Sequence, residues 1–199
     1  ADLIGQEHVK TTLENAIKTE HEPEFLLAAG DVSDIQNYIF GISHTGEGGV
    51  ARRLRARSLM VQLFTEATAR AVLDSLGLPQ ACQVMAAGGN FYLLLPNTPN
   101  AVQKLERASQ ENDAWSLKEL HGEMTLNLVW VAMDRDGFHG TSANKTGGFG
   151  DVLRQVNDKL QEHKRQRFRA ALSNARGWDE QGFLLDVQYK GEGLCPSCR

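Results

Sequence analysis

The sequence predicts an α+β domain of ferredoxin-like type, with the element order βαββαβ. Three observations carry that expectation. A long amphipathic helix over Val50–Leu76 stands between a short buried strand and a hairpin centred on Gly88-Gly89-Asn90. A weaker helix follows over residues 100–121. An apolar strand over residues 124–133 then closes the unit. In such a fold two helices cover one face of a four-stranded antiparallel sheet, and the opposite face is left for function.

The first strand is the continuous apolar run 25–30, which reads as buried on both faces and ends on Asp31. Ser33 is placed to cap a short helical turn through Phe40, and residues 41–49 form a Gly-rich loop. In the long helix, Val50, Leu54, Leu59, Met60, Leu63, Phe64, Ala67, Ala71 and Val72 recur at helical spacing, and Gly77-Leu78-Pro79 stops it. Residues 82–87 and 91–95 are apolar strands, joined by a turn whose residues tolerate positive φ. Residues 135–150 are polar and Gly-rich, as in a loop. Extra elements are expected on both sides: a one-faced helix over 3–18, a long polar helix over 151–172, a further strand over 183–189 and a tail over 190–199.

Composition narrows the function. The 199 residues carry a formal net charge of −4, so no global basic field draws in nucleic acid and any polyanion site is local. No apolar run approaches the roughly 18 residues of a membrane span, and no basic-then-apolar leader opens the chain. Of three cysteines, Cys82 lies in an apolar run while Cys195 and Cys198 crowd the end, which fits a reducing, cytoplasmic compartment better than a disulfide framework. The chain begins without Met and stops one residue after Cys195-Pro-Ser-Cys198, as a piece of a longer protein would.

Palm-type polymerases and nucleotide cyclases use this βαββαβ unit because the first strand's end and the hairpin set carboxylates side by side, where they hold two metal ions on triphosphate oxygens. Asp31 occupies the first-strand position. The hairpin offers Gly88-Gly89-Asn90-Phe91 where a competent site has two glycines followed by acids. An amide and a phenyl ring do not replace hard anionic ligands for Mg²⁺, so the two-metal site is incomplete. Plainer readings stand beside these: Asp31 as a turn or helix-start carboxylate bonded to backbone N–H groups, and Gly88-Gly89 as a tight turn and nothing more.

Two basic clusters stand out. Arg52, Arg53, Arg55 and Arg57 crowd the first turns of the long helix, where the helix dipole disfavours cations, and the conflict points either to a phosphate partner or to a solvated face. His163, Lys164, Arg165, Arg167 and Arg169 fall late in their helix, where cations are favoured, and read more simply as a solvated or docking surface. Cys195 and Cys198 have the spacing for one Zn²⁺, yet a structural site takes four ligands, so the pair is half a zinc knuckle, a redox dithiol or an idle tail.

Three blocks together resemble a known family: Gly30-Asp31-Val32-Ser33-Asp34-Ile35-Gln36-Asn37-Tyr38-Ile39-Phe40, Ala51-Arg52-Arg53-Leu54-Arg55-Ala56-Arg57-Ser58, and Ala87-Gly88-Gly89-Asn90-Phe91-Tyr92-Leu93-Leu94-Leu95-Pro96. They resemble the first palm domain of the large subunit of type III-A CRISPR interference complexes, the Csm effector. The resemblance implies a subunit with an HD-type nuclease domain, two palm domains separated by a zinc-binding linker, and a helical tail. Its implied activity is target-RNA-triggered conversion of ATP into cyclic oligoadenylates for antiviral defence, with Mg²⁺ or another divalent metal held by the second palm.

On that resemblance, residues 1–24 are an N-terminal lead-in, 25–190 the palm-like domain and 191–199 the start of the zinc-binding linker, with zinc bound only once the missing ligands are present. The implied role is an ATP-binding half-site, inactive alone, formed by Asp31, Val32, Ser33, Gly88, Gly89, Asn90 and Arg57. Its implied partners are the second palm, other Csm subunits and, indirectly, CRISPR RNA and target RNA. Asp34 departs from the glycine expected there. Two rival functions remain on the sequence: an autonomous dimeric nucleotidyl cyclase, and an RNA-binding module using an open sheet face.

Overall fold

The computed structural model describes residues 23–41, 49–139 and 148–169. The sequence-predicted helix over 3–18, the strand over 183–189 and the Cys195/Cys198 tail lie outside the described residues. Four strands, β1 (Phe25–Ser33), β2 (Gln83–Ala87), β3 (Asn90–Pro96) and β4 (Thr125–Met133), form one antiparallel sheet in the order β2-β3-β1-β4. The helices are α1 (Ile35–Phe40), α2 (Val50–Leu76), α3 (Pro99–Leu120), α4 (Asp136–His139) and α5 (Phe149–Lys164). The α+β class and the four-stranded antiparallel sheet agree with the sequence expectation.

Alternation along β1 divides the molecule into two cores. Leu26, Ala28 and Val32 point to the face covered by α2 and α3, where they pack with Phe64, Val72, Leu73, Phe91, Leu93 and Leu105. Leu27 and Ala29 point the other way, onto Val129, Val131, Val152, Val156 and Leu160. The second face is therefore not left open. Helix α5 lies over β1 and β4 because its Val152, Val156 and Leu160 recur at helical spacing and give that polar-looking helix one apolar stripe. On β3, Tyr92 and Leu94 still pack against this second core, while at the outer strand β2 Val84 and Met85 are exposed.

Element boundaries differ from expectation in instructive ways. Ser33 does not cap α1, since β1 runs through it in register with Thr125, and the capping position falls to Asp34 in a left-handed conformation (φ 66°). Asn90 is the first residue of β3, so the hairpin loop is the two residues Gly88 and Gly89, both at positive φ (62° and 96°), as the tightest hairpins require. A 3₁₀ turn over Gln80–Cys82 precedes β2, which starts at Gln83. Helix α5 begins at Phe149 and ends at Lys164, short of the 151–172 span, and the 135–150 loop contains α4.

Helix α2 has the expected bounds but another buried face. Val61, Phe64, Thr65, Thr68, Ala69, Val72 and Leu73 are buried, whereas Leu59 and Leu63 are more than half exposed. The two threonines enter the core by returning their hydroxyls to Val61 O (2.8 Å) and Phe64 O (2.9 Å). Thr98 caps α3 by accepting from Ala101 N–H (3.1 Å), with Pro99 in the first turn.

Candidate functional site

At one end of the sheet, β1, the β2–β3 turn, the start of β4 and the end of α5 converge. Asp31 is the pivot. It pairs with Asn90 on β3 and with Asn127 on β4, and cross-strand partners share a face, so the α5 side of the sheet carries the row Asn90–Asp31–Asn127. Next to it, Ser33 pairs with Thr125, whose buried hydroxyl has no partner among the described residues.

Asn127 ties the row together. Its amide N–H groups reach Ser33 Oγ (2.8 Å) and Asp31 O (3.1 Å), and its Oδ1 lies 3.4 Å from His163 Nδ1. Lys164, the last residue of α5, makes an ion pair with Asp31, and Arg167 makes one with Asp34. Farther along α3, Asp113 is held above the usual carboxylate range by burial, an effect opposed by the charge of His163.

The glycine turn closes the end of the sheet. Gly89 O accepts from Val32 N–H (2.8 Å), which docks the turn onto the end of β1. Asp31, Ser33 and Asn90 are therefore brought to one face beside Gly88 and Gly89. Val32 contributes only backbone there, because its side chain is buried among α2 and α3. Phe91 likewise turns away and is fully buried on that opposite face, with its ring over Gly30. Of the two hairpin positions that carry acids in a competent palm, only Asn90 faces the site.

Arg57 is not part of this row. Its guanidinium donates to Tyr38 O and sits over the Tyr38 ring, 4.6 Å from the centroid. It lines a separate hollow of about 410 Å³ with Asp34, Asn37, Tyr38, Gly41, Gly122 and Glu123. The second basic cluster also differs from its expected role, since Lys164 and Arg167 reach back to the acids ending β1 and His163 is half-buried on Asn127. Asn127, Lys164 and Arg167 were the site's missed residues. A polar residue in the middle of an otherwise apolar strand was the available signal for Asn127.

The donor set does not suit a divalent cation. Asp31 brings the row's one carboxylate, its neighbours are neutral amides, and its oxygen already faces an ammonium. Among the described residues, no group of three or more His, Cys, Asp or Glu side chains is arranged to hold a metal ion. Cys195 and Cys198 lie outside the described residues, and the thiol of half-buried Cys82 is shifted upward by burial.

Fold and site together define a palm-type α+β domain whose hairpin carries Asn90 and Phe91 where a two-metal centre has acids. The chain belongs to the Csm1 family: residues 24–177 match the model of Csm1 subunit domain B. It is similar to the CRISPR system single-strand-specific deoxyribonuclease Cas10/Csm1 (subtype III-A) of Thermococcus onnurineus, 32% identical over 74% of this chain and 18% of that protein. The protein of the same description from Mycobacterium tuberculosis is 28% identical over 98% of this chain and 24% of its own length. The chain thus spans about a fifth to a quarter of these relatives. A crystal structure of a Csm1–Csm4 cassette in complex with AMPPNP superposes with a TM-score of 0.68 at 30% identity, covering 79% of this chain and 22% of that one. The cassette has also been solved with one ATP and with cA4. No helix among the described residues is long and apolar enough to cross a membrane.

Proposed function

We propose that this chain is the nucleotide-holding first palm of a type III-A CRISPR large subunit, one half of an ATP site completed by a second palm. The observation that carries the reading is the sheet end itself, where Asp31 and Asn90 stand side by side next to a two-glycine turn. Glycines there let backbone N–H groups approach phosphate, while the missing acid denies this half the metal pair needed for chemistry. The cassette structures with AMPPNP and ATP support the nucleotide-binding part of this reading.

In this reading the parent subunit converts ATP to cyclic oligoadenylates when target RNA is bound, in the cytoplasm. The second palm supplies the divalent metal, other Csm subunits complete the assembly, and guide and target RNA act indirectly. Residues 25–190 are the palm-like domain between a lead-in and the start of a zinc linker. An autonomous cyclase is disfavoured by the amide beside Asp31. An RNA-stacking sheet face is disfavoured by α5, which covers β1 and β4. The test is Gly88→Val in the complete effector complex, at the turn glycine whose side-chain direction is open. Oligoadenylate synthesis is expected to fall at least about tenfold while target-RNA binding is kept, and normal synthesis by a folded variant contradicts the reading.

A further inference from the structure

Accepting the nucleotide reading above, we infer that Lys164 takes the electrostatic place of a divalent cation, so that this half-site binds a nucleotide triphosphate through an ammonium and without metal. In a competent palm, the first-strand carboxylate is neutralised by the metal it binds. Here the same carboxylate, Asp31, is neutralised by Lys164 from the last position of α5. A dication approaching Asp31 meets that ammonium and the neutral amides of Asn90 and Asn127, and so finds repulsion instead of anionic ligands.

The pair is placed to act on a ligand. The Lys164 side chain is 29% exposed and that of Asp31 13%, so the ammonium lies at the border of the site and not inside the core. An ammonium carries three N–H groups, so the ion pair with Asp31 leaves donors for phosphate oxygens. The end of α5 favours a cation on its own account, because the helix dipole is negative there. Arg167, paired with Asp34, sets a second cation on the same rim. A lysine acting as a point charge is a common phosphate holder, and this one is anchored by a carboxylate that fixes its direction.

The inference is tested by equilibrium binding of ATP to the full 199-residue chain in excess EDTA and in excess MgCl₂, with inorganic tripolyphosphate as competitor. Affinity in EDTA is expected within about twofold of that in MgCl₂, and tripolyphosphate is expected to compete. Lys164→Met is expected to weaken ATP about tenfold or more in both conditions, and Lys164→Arg to restore most of it. Circular dichroism checks that each variant folds. ATP binding that EDTA abolishes, or that Lys164→Met leaves intact, overturns the inference and leaves the nucleotide reading standing. No ATP binding by the wild-type chain in either condition also overturns the inference, whereas the nucleotide reading falls only if synthesis in the complete complex survives the turn-glycine substitution.

Discussion

The ring of Phe91 lies directly over Gly30, its partner across the β1–β3 pair, and fills the space a β-carbon would need. Phe91 is fully buried, so it has no room to retreat. Gly30→Ala is therefore expected to destabilise the domain by about 1–3 kcal/mol, the usual range for overpacking a filled core. Urea denaturation measures it. The double variant Gly30→Ala/Phe91→Leu should recover part of the loss, and a purely additive pair would deny the contact.

The two turn glycines differ in what they tolerate. Gly88 has open space where a side chain would go, so Gly88→Asn, a residue that accepts positive φ, is expected to cost less than about 1 kcal/mol. At Gly89 the backbone (φ 96°) lies farther from what a side chain accepts and a β-carbon would also displace Ile35 Cδ1, so Gly89→Ala is expected to cost about 1–2 kcal/mol. Thermal unfolding of the two variants compares them, and equal losses would contradict the packing of the turn on α1.

Asn127→Ala leaves Ser33 Oγ and Asp31 O without their buried donor, and is expected to cost about 1–3 kcal/mol. A cycle with Ser33→Ala should show coupling, because the second change removes one of the stranded groups. Independent effects would remove Asn127 from its place as the tie between β1 and β4.

Asp113 gives a pH dependence of definite sign. Burial raises its folded-state pKa above the unfolded value, so the native state binds the proton more tightly. That contribution favours folding below the unfolded pKa and is lost as pH rises through the folded one. Asp113→Asn should therefore stabilise the protein more at neutral pH than in acid, as read from denaturation midpoints across that range. A difference that does not change with pH would count against this account of Asp113.

Much of this architecture was legible because the helical repeat of α2, its Gly77 stop and the Gly88-Gly89 turn are local signals that tertiary packing did not override. What misled was surface chemistry. Helix α5 looked polar, yet three residues, Val152, Val156 and Leu160, were enough to seat it on the sheet and bring Lys164 and Arg167 to the acids ending β1. The extent of α2 was readable and its buried face was not, since Thr65 and Thr68 satisfy their hydroxyls within the helix and pass as apolar. Arg57 looked like a phosphate ligand because of its place at a helix start, but Tyr38 offers it a ring and a carbonyl. Pairings between residues 96 or more positions apart, such as Asn127 with Asp31, leave no trace in local spacing.

The central claim is that nucleotide meets this domain at the end of β1 and the β2–β3 turn. It is tested most directly by titrating ATP into the isotopically labelled full chain and following backbone amide shifts. The largest changes are expected at Asp31, Ser33, Gly88, Gly89, Asn90 and Lys164. Shifts concentrated instead along the groove between α3 and α5, at Ser109, Trp130, Lys159 and Gln166, would contradict it.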